Sequence, residues 1–413
     1  MPRALLTANF GLILTLASAC GDASGGTGTG TGDTITGDES GTTRDGPTAA
    51  QTASGTDSGS SGGDTSGPQT TGGPDDTIGA TTVDTGDGTT GDDGTTGAIE
   101  VCGAPVMPLP CDHDNADVFN AIGLNCSDDP TRSIPISDSV LKAVDESSYR
   151  AAKSFGTAVD LGDPTVPAWA AQEGERFLVI GTGEFPPIDK KDGSLSKEDG
   201  DDSQSNGNPD DVIVLPGVIK HHHGSNDGAG GTPFVDCDGL HDCSDTIQPQ
   251  WDLDPKNVAN DVFYMDFDLT APAGTHGFAI DFVFFSEEWP VYVHTTYNDM
   301  LIVWSTSESY TGNITYMDDE PLTATSLDPF MKYQPGDDLL AGTGFPGDDE
   351  GAATVWMTAR GSAQPGEKFT VAITMFDMGD VLRDSVAILD NFRWECGGCE
   401  PVAVGGCGVT PKE

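Results

Sequence analysis

The sequence predicts an all-β protein: an antiparallel β-sandwich, jelly-roll-like, with minor helices, carried behind a disordered Gly/Thr/Ser/Asp stalk. Three observations point there. Beyond residue 100, apolar residues recur with a period of two far more often than 3.6, as half-buried strands require. Clusters of Gly, Pro, Asn and Asp, among them TAPAGTHG, YQPGDD and SAQPGEK, separate those runs with turn chemistry. Residues 21–100, by contrast, contain no Phe, Tyr or Trp and a single basic residue, Arg44. Such a segment cannot bury enough apolar area to offset the entropy of ordering its backbone.

The chain opens with MPRALLTANFGLILTLASAC. Arg3 supplies a positive n-region, Ala4 to Leu16 an apolar run too short to span a bilayer comfortably, and Ala17, Ser18 and Ala19 the small residues a signal peptidase needs. Residues 1–19 are therefore expected as a signal peptide and Cys20 as the first mature residue. A cysteine at that point resembles the lipobox of bacterial lipoproteins, with Ala17 where leucine is commoner. The resemblance implies acylation of Cys20 and durable anchoring through several chains. A plain secretory signal followed by a chance cysteine is the alternative.

Residues 20–100 read as the lipidated cysteine and a low-complexity stalk. At about 5–6 Å × √n, eighty residues reach roughly 50 Å, and repulsion among the aspartates extends them further. Glycines in repeats such as GTGTGTG carry no phosphate-loop meaning, since neither strand nor helix flanks them. Over the whole chain 67 acids face 18 bases, a formal net charge of −49. Nucleic acid and anionic lipid are thus poor partners and cations good ones, although an acidic surface also serves solubility alone.

Eight further cysteines, Cys102, Cys111, Cys126, Cys237, Cys243, Cys396, Cys399 and Cys407, suit four disulfides in an oxidising compartment. Spacing suggests Cys237 with Cys243 across CDGLHDC, and an N-terminal trio stapled to a C-terminal trio. Zinc held by CGGC with Cys407 is the competing reading, weakened by the lack of a second pair at finger spacing.

The expected strands follow in order. FLVIG from Phe177 and VIVL from Val212 come first. VFYMDFDL from Val262 sets Phe263, Met265, Phe267 and Leu269 against Tyr264, Asp266 and Asp268. GFAIDFVFF from Gly277 is apolar on both faces except for Asp281, as a central strand between layers is. MLIVW from Met300, TVWMTA from Thr354 and VAILDNFRW from Val386 add more. In FTVAITM, Phe369, Val371, Ile373 and Met375 face inward. Helices are expected only in ADVFNAIGL, around Asp117, and in SDSVLKAVDESSYRAAKSF from Ser137, where Ser137 to Ser139 offer caps.

One stretch is recognisable. In FDLTAPAGTHGFAIDFVFFSEEWPVYVHTTYNDMLIVW, Ser286, Glu287, Glu288, Trp289 and Pro290 form a Ser-Glu-Glu-aromatic-Pro turn, followed by Tyr292 and Val293 and then by Asn298 and Asp299. With RDSVAILDNFRWEC, which contributes Asp384, Ser385, Asp390 and Asn391, and with FLVIGTG upstream, the segment resembles the choice-of-anchor L domain of bacterial surface and secreted proteins. It most resembles the lipid-anchored myxobacterial subset. Departures are Trp289 for tyrosine and a long acidic insertion at residues 189–211. The resemblance covers residues 101–400, leaves 401–413 as a C-terminal tail, and implies surface display without implying any reaction.

Glu287, Glu288, Asp299, Asp384 and Asp390 are a candidate Ca²⁺ set, because clustered carboxylates supply hard oxygen ligands. The alternative is that they receive backbone N–H groups at turns. EDGDDSQSNGNPDD, Glu198 to Asp211, is a second acidic run, but it breaks the EF-hand pattern and reads as a solvated insertion. His221, His222 and His223 lack the spacing of a helical metal pair and read as an exposed loop. No nucleophile elbow, HExxH or cysteine with a base is present, so no catalytic residue is assigned.

The expected function is a lipid-anchored display or adhesion-type binding protein at a bacterial outer membrane or cell surface. It would contact a glycan, matrix polymer or surface protein, with Ca²⁺ as candidate cofactor and Trp251, Trp289 and Tyr292 as a sugar-stacking surface. The alternatives are a purely structural envelope lipoprotein and, behind it, a carbohydrate hydrolase using Glu287 and Glu288. Adjacent strand residues point to opposite faces, which argues against both flanking one glycosidic bond.

Overall fold

The structure is a computed structural model. It describes residues 102–104, 110, 116–127, 129, 131–143, 146–159, 169–197, 214–221, 246–256, 258–317, 320–345, 350–399 and 407–412. Cys20, the stalk, Cys111, Cys237, Cys243 and the run Glu198 to Asp211 lie outside the described residues.

The chain runs through β1 (Ser137–Ala143), β2 (Tyr149–Ala152), β3 (Ser154–Phe155), β4 (Trp169–Ala170), β5 (Phe177–Gly181) and β6 (Ser194–Leu195) to a four-residue helix, α1 (Gln248–Trp251). Then come β7 (Ala259–Thr270), β8 (Gly277–Ser286), β9 (Met300–Ser307), β10 (Tyr310–Asn313), β11 (Tyr316–Met317) and β12 (Glu320–Pro321). After α2 (Ala324–Leu327) follow β13 (Met331–Tyr333), β14 (Ala352–Thr354), β15 (Met357–Ser362), β16 (Lys368–Met378), β17 (Ser385–Glu395) and β18 (Gly408–Pro411). The fold is all-β, as its periodicity requires.

Two large sheets face each other. One is ordered β1-β7-β16-β9-β10; the other is ordered β13-β14-β8-β17-β5-β2, with β15 bridging β8 and β18. Among the described strands every pairing is antiparallel except the short β3 and β6 pair. Alternation decides what lies between the sheets. Phe263, Met265, Phe267 and Leu269 of β7 and Val371, Ile373 and Met375 of β16 meet Phe278, Ile280, Phe282 and Phe284 of β8 and Leu389 of β17. Burying each such side chain contributes about 1.5–3 kcal/mol, so this layer dominates stability.

Both outer faces are covered too. Val179, Val283, Phe285 and Ile388 pack beneath Phe155, Trp169, Leu195, Leu340 and Phe345. On the opposite side Tyr264, Ile302, Trp304 and Phe376 pack beneath Leu215, Ile219, Ile247 and Trp251. Strand β8 therefore has no exposed residue, in keeping with its two-faced apolar sequence.

Several expectations are corrected. The serine-led segment from Ser137 is not a helix: it forms β1, a 3-10 turn at Glu146–Ser148, β2 and β3. Backbone pairing of β1 with β7 and of β2 with β5 outweighs the local helix preference. ADVFNAIGL keeps one 3-10 turn, Asn120–Ile122, its entry fixed by Asp117 Oδ1, which accepts from Phe119 N (2.9 Å) and Asn120 N (3.1 Å). Of VIVL only Val214 and Leu215 are described; neither is in a strand, and Leu215 packs in the outer core. TVWMTA breaks at Val355 and Trp356 into β14 and β15. Residues 408–411, read as tail, pair with β15.

Two disulfides are described. Cys102–Cys396 joins the two cysteine trios, while Cys399–Cys407 lies within the C-terminal one. Cys126 is also disulfide-bonded. CGGC and Cys407 are consequently oxidised, which removes them as thiolate ligands for zinc.

Candidate functional site

The sandwich gathers acids at one end, where β8 runs into the turn at Glu287, β9 begins at Met300, and β16 passes to β17. Glu288, Asp299, Asp377 and Asp384 are all buried there, and Asp380 is half-buried beside them. Backbone bonds fix the arrangement: Glu288 N donates to Ser286 Oγ (3.1 Å), and Asp299 N donates to Glu288 Oε2 (3.0 Å). Thr182, just past β5, donates through Oγ1 to Asp299 Oδ2 (3.3 Å), and Thr182 Oγ1 in turn accepts from Ser385 N (3.0 Å). A β-bulge between Met375 and Asp377 breaks the register of β16 against β7 and so re-aims Asp377.

Charge is poorly balanced in this end of the core. Lys197, itself buried, pairs with Asp384, and Arg383 is engaged by Glu350. Burial, then the Asp299 charge, pushes the Glu288 carboxyl well above its usual range. Burial, then Asp384 and Asp380, does the same to Asp299. Burial, then Asp299 and Glu288, raises Asp377. Asp299 is in side-chain hydrogen-bonding contact with Ser385 and Asp377, and these contacts lower its carboxyl against the larger effect of burial. Carboxyls this buried and this crowded hold either protons or a cation. Gly183 has no room for a side chain: a Cβ there would overlap the Asp384 carboxyl.

Above the acids, residues 289–297 and 380–383 are half-buried or exposed. Val291 (53 %), Tyr297 (43 %) and Leu382 (45 %) are three of the six exposed large apolar side chains among the described residues. Tyr292 packs edge-on to Tyr297 at 6.2 Å, and the Arg383 guanidinium lies 4.8 Å over the Tyr292 ring. His294 and Arg383 adopt left-handed backbone at φ 63° and 72°, a costly conformation that the surrounding bonds must hold. Those bonds include Tyr292 N to Glu288 O (2.8 Å), Asn298 Nδ2 to Thr295 O (2.7 Å) and His294 N to Thr325 Oγ1 (2.7 Å).

Of the expected Ca²⁺ set, Glu288, Asp299 and Asp384 come together. Glu287 is half-buried and gives the turn its main-chain N–H, which donates to Asp384 O (3.1 Å). Asp390 sits five residues along β17 from Ser385, roughly 17 Å away at strand rise. There it accepts from Glu173 N (3.2 Å) and Asn391 N (2.6 Å), and burial pushes its carboxyl up to about 8. Asp377 and Asp380 complete the cluster, and sequence reading missed them. Asp377 interrupts an apolar strand much as Asp281 does, and that was the available signal. Among the described residues no three acidic, His or Cys side chains stand in ligating geometry as they are.

The remaining candidates disperse. His221 stacks on Trp251 at 5.0 Å instead of standing in an exposed loop, while His222 and His223 lie outside the described residues. Trp251 is itself buried, so it offers no stacking surface. Trp289 and Tyr292 are half-buried, and Trp289 Nε1 donates to Asp328 Oδ1 (2.7 Å). With Glu288 buried beside Asp299, the Glu287 and Glu288 pair does not frame a shared cleft as a hydrolase needs. No helix among the described residues is long and apolar enough to cross a membrane. No family model matches the chain, and no curated protein or solved structure matches it either.

Proposed function

We propose that this chain is a surface-displayed binding module of choice-of-anchor L type. It is lipid-anchored at Cys20 to a bacterial envelope, carried on its stalk, and without catalytic activity. The observation that carries the reading is the pairing of the exposed Val291, Tyr297 and Leu382, gathered around the half-buried Tyr292, with the buried acids that hold their loops from beneath. A protein that only fills space in an envelope has no need to fasten solvent-facing aromatics on strained backbone. A hydrolase needs carboxylates that substrate can reach.

Ca²⁺ is the fitting cofactor. Asp299 Oδ1, the Glu288 and Asp377 carboxylates and the Ser385 hydroxyl are hard oxygen donors, and Ca²⁺ takes six to eight of these in flexible geometry. Its binding would displace the shared protons and draw the two loops together. The test is the melting temperature of the disulfide-intact protein in EDTA and across a Ca²⁺ titration at fixed ionic strength, with Mg²⁺ as control. Binding at a hundredfold excess over Kd adds about 2.7 kcal/mol, a visible rise. The rise should vanish in Asp299→Asn. Equal transitions in EDTA, Ca²⁺ and Mg²⁺ for the wild type would remove the cation from the reading.

A further inference from the structure

We propose a second binding site, a cationic groove that takes an anionic oligosaccharide bearing carboxylates, formed where the turn between β5 and β6 meets β2 and β3. It goes beyond the binding-module reading by naming a ligand class, and it does not depend on the acidic site. A cleft of 840 Å³ opens there, within the size range of ligand pockets. Five of the chain's 18 basic residues, Arg150, Lys153, Arg176, Lys190 and Lys191, line it against three acids, Glu146, Asp189 and Asp192. On a chain of net charge −49 this local reversal of sign is the least expected feature of the surface.

The groove is built rather than incidental. Residues 189–194 close on themselves: Asp189 N donates to Ser194 O (2.9 Å) and Gly193 N to Asp189 O (2.8 Å). Both turn acids are occupied within it. Asp189 Oδ1 accepts from Lys191 N (2.8 Å), and Asp192 Oδ1 accepts from Ser194 N (3.1 Å) and Ser194 Oγ (2.6 Å). Lys153 N donates to Gly193 O (2.9 Å), which pins the turn to the start of β3. Lys190 and Lys191 are thereby held exposed at the rim of a rigid turn. Lys153 Nζ meets Glu175 at 2.6 Å, but both side chains are substantially exposed (34 % and 52 %), and such a pair exchanges readily for a ligand carboxylate.

Shape and chemistry select the ligand. A second depression of 490 Å³ shares Lys153 and Asp192 with the first and is lined by Ser154, Thr157, Ser194 and Ser196. The two depressions adjoin at Lys153 and Asp192, and between them offer hydroxyls beside the apolar surface of Ile188 and Tyr149, the mixed lining that a sugar chain needs. The Arg150 fork, which favours phosphate or sulfate, is committed to main chain, at Pro186 O (2.9 Å) and Tyr149 O (2.7 Å), and Arg176 gives Nη1 to Ala151 O (3.0 Å). Lysine point charges at a polar groove suit isolated carboxylates. A dense polyanion such as nucleic acid is repelled by the rest of the chain.

The experiment is calorimetric titration of the full chain in EDTA with a uronic-acid hexasaccharide, its carboxyl-reduced neutral counterpart and a sulfated hexasaccharide. Working in EDTA separates this site from the cation site, so either can fail alone. We expect the uronate to bind, the neutral sugar not to, and Lys190→Gln/Lys191→Gln to weaken uronate binding at least tenfold with an unchanged melting temperature. Lys332→Gln/Lys368→Gln, which removes the same charge elsewhere, should weaken it less than twofold. No uronate binding, tighter binding of the sulfated sugar, or equal losses in the two double variants would overturn the proposal.

Discussion

Asp281→Ala should be the most damaging single substitution outside the apolar core, because one carboxylate in the middle of β8 holds four partners. Oδ1 accepts from Thr358 Oγ1 (2.7 Å) and Arg393 Nη1 (2.9 Å), and Oδ2 accepts from Asn391 Nδ2 (2.7 Å) and Lys412 Nζ (2.6 Å). These donors belong to β15, to β17 and to the residue after β18. Burial raises the Asp281 carboxyl, yet Lys412, Thr358 and Arg393 outweigh it and hold the group below its ordinary value. Breaking a buried ion pair costs about 3–5 kcal/mol. Arg393 and Lys412 keep 28 % and 30 % of their side-chain exposure and recover some hydration, so the low end applies, about 3 kcal/mol. In urea, with a slope of about 3 kcal/mol/M, the midpoint should fall by about 1 M at pH 7. Since the folded value is depressed, the contribution is present above about pH 4 and lost as pH falls through the folded value, so the deficit of the variant should shrink in acid. A loss under about 1 kcal/mol, or one that persists unchanged at pH 3, would refute the reasoning.

The acidic end should behave oppositely. Glu288, Asp299 and Asp377 are raised and Asp390 reaches about 8, so their contribution is full below about pH 4 and is lost as pH climbs through the folded values. The urea midpoint in EDTA should therefore fall between pH 5.5 and pH 9, and Ca²⁺ should restore the part due to the cluster but not that due to Asp390; a flat profile in EDTA would contradict the assignment. Replacing both Cys102 and Cys396 by serine should cost about 2–5 kcal/mol by freeing a span of 294 residues, read as a melting temperature lower by roughly 5–15 °C.

Much of the fold is legible because alternation and burial coincide. The inward residues of VFYMDFDL and FTVAITM all lie in the inter-sheet core, and the apolar GFAIDFVFF is the fully buried β8. The stretch from Ser137 misleads because β1 is an edge strand whose pattern is mostly exposed, so pairing with β7, invisible locally, decides it. The polar residues facing outward mislead in another way. Tyr264 reads as standing on the face opposite the core, but it is buried, because segments distant in sequence cover the outer face of the sheet. At the candidate site the Ser-Glu-Glu turn drew attention to Glu288, Asp299 and Asp384. Asp377 and Lys197 entered only through tertiary proximity, and the Lys190 and Lys191 turn was hidden inside an insertion whose acidity dominated its composition.

The Cys102–Cys396 bond also changes how the domain bears a load. A pull on the chain ahead of Cys102 passes through sulfur into the far end of β17, which is paired on its two sides with β8 and β5. Tension therefore enters the fold at the end of β17 rather than at residue 103, and the short edge strands β1 to β3 are not the first to be peeled away. Load applied from the N-terminal side therefore reaches the β8–β17 pair first, and reduction of this one bond would move the point of attack to residue 103 and the strands that follow it.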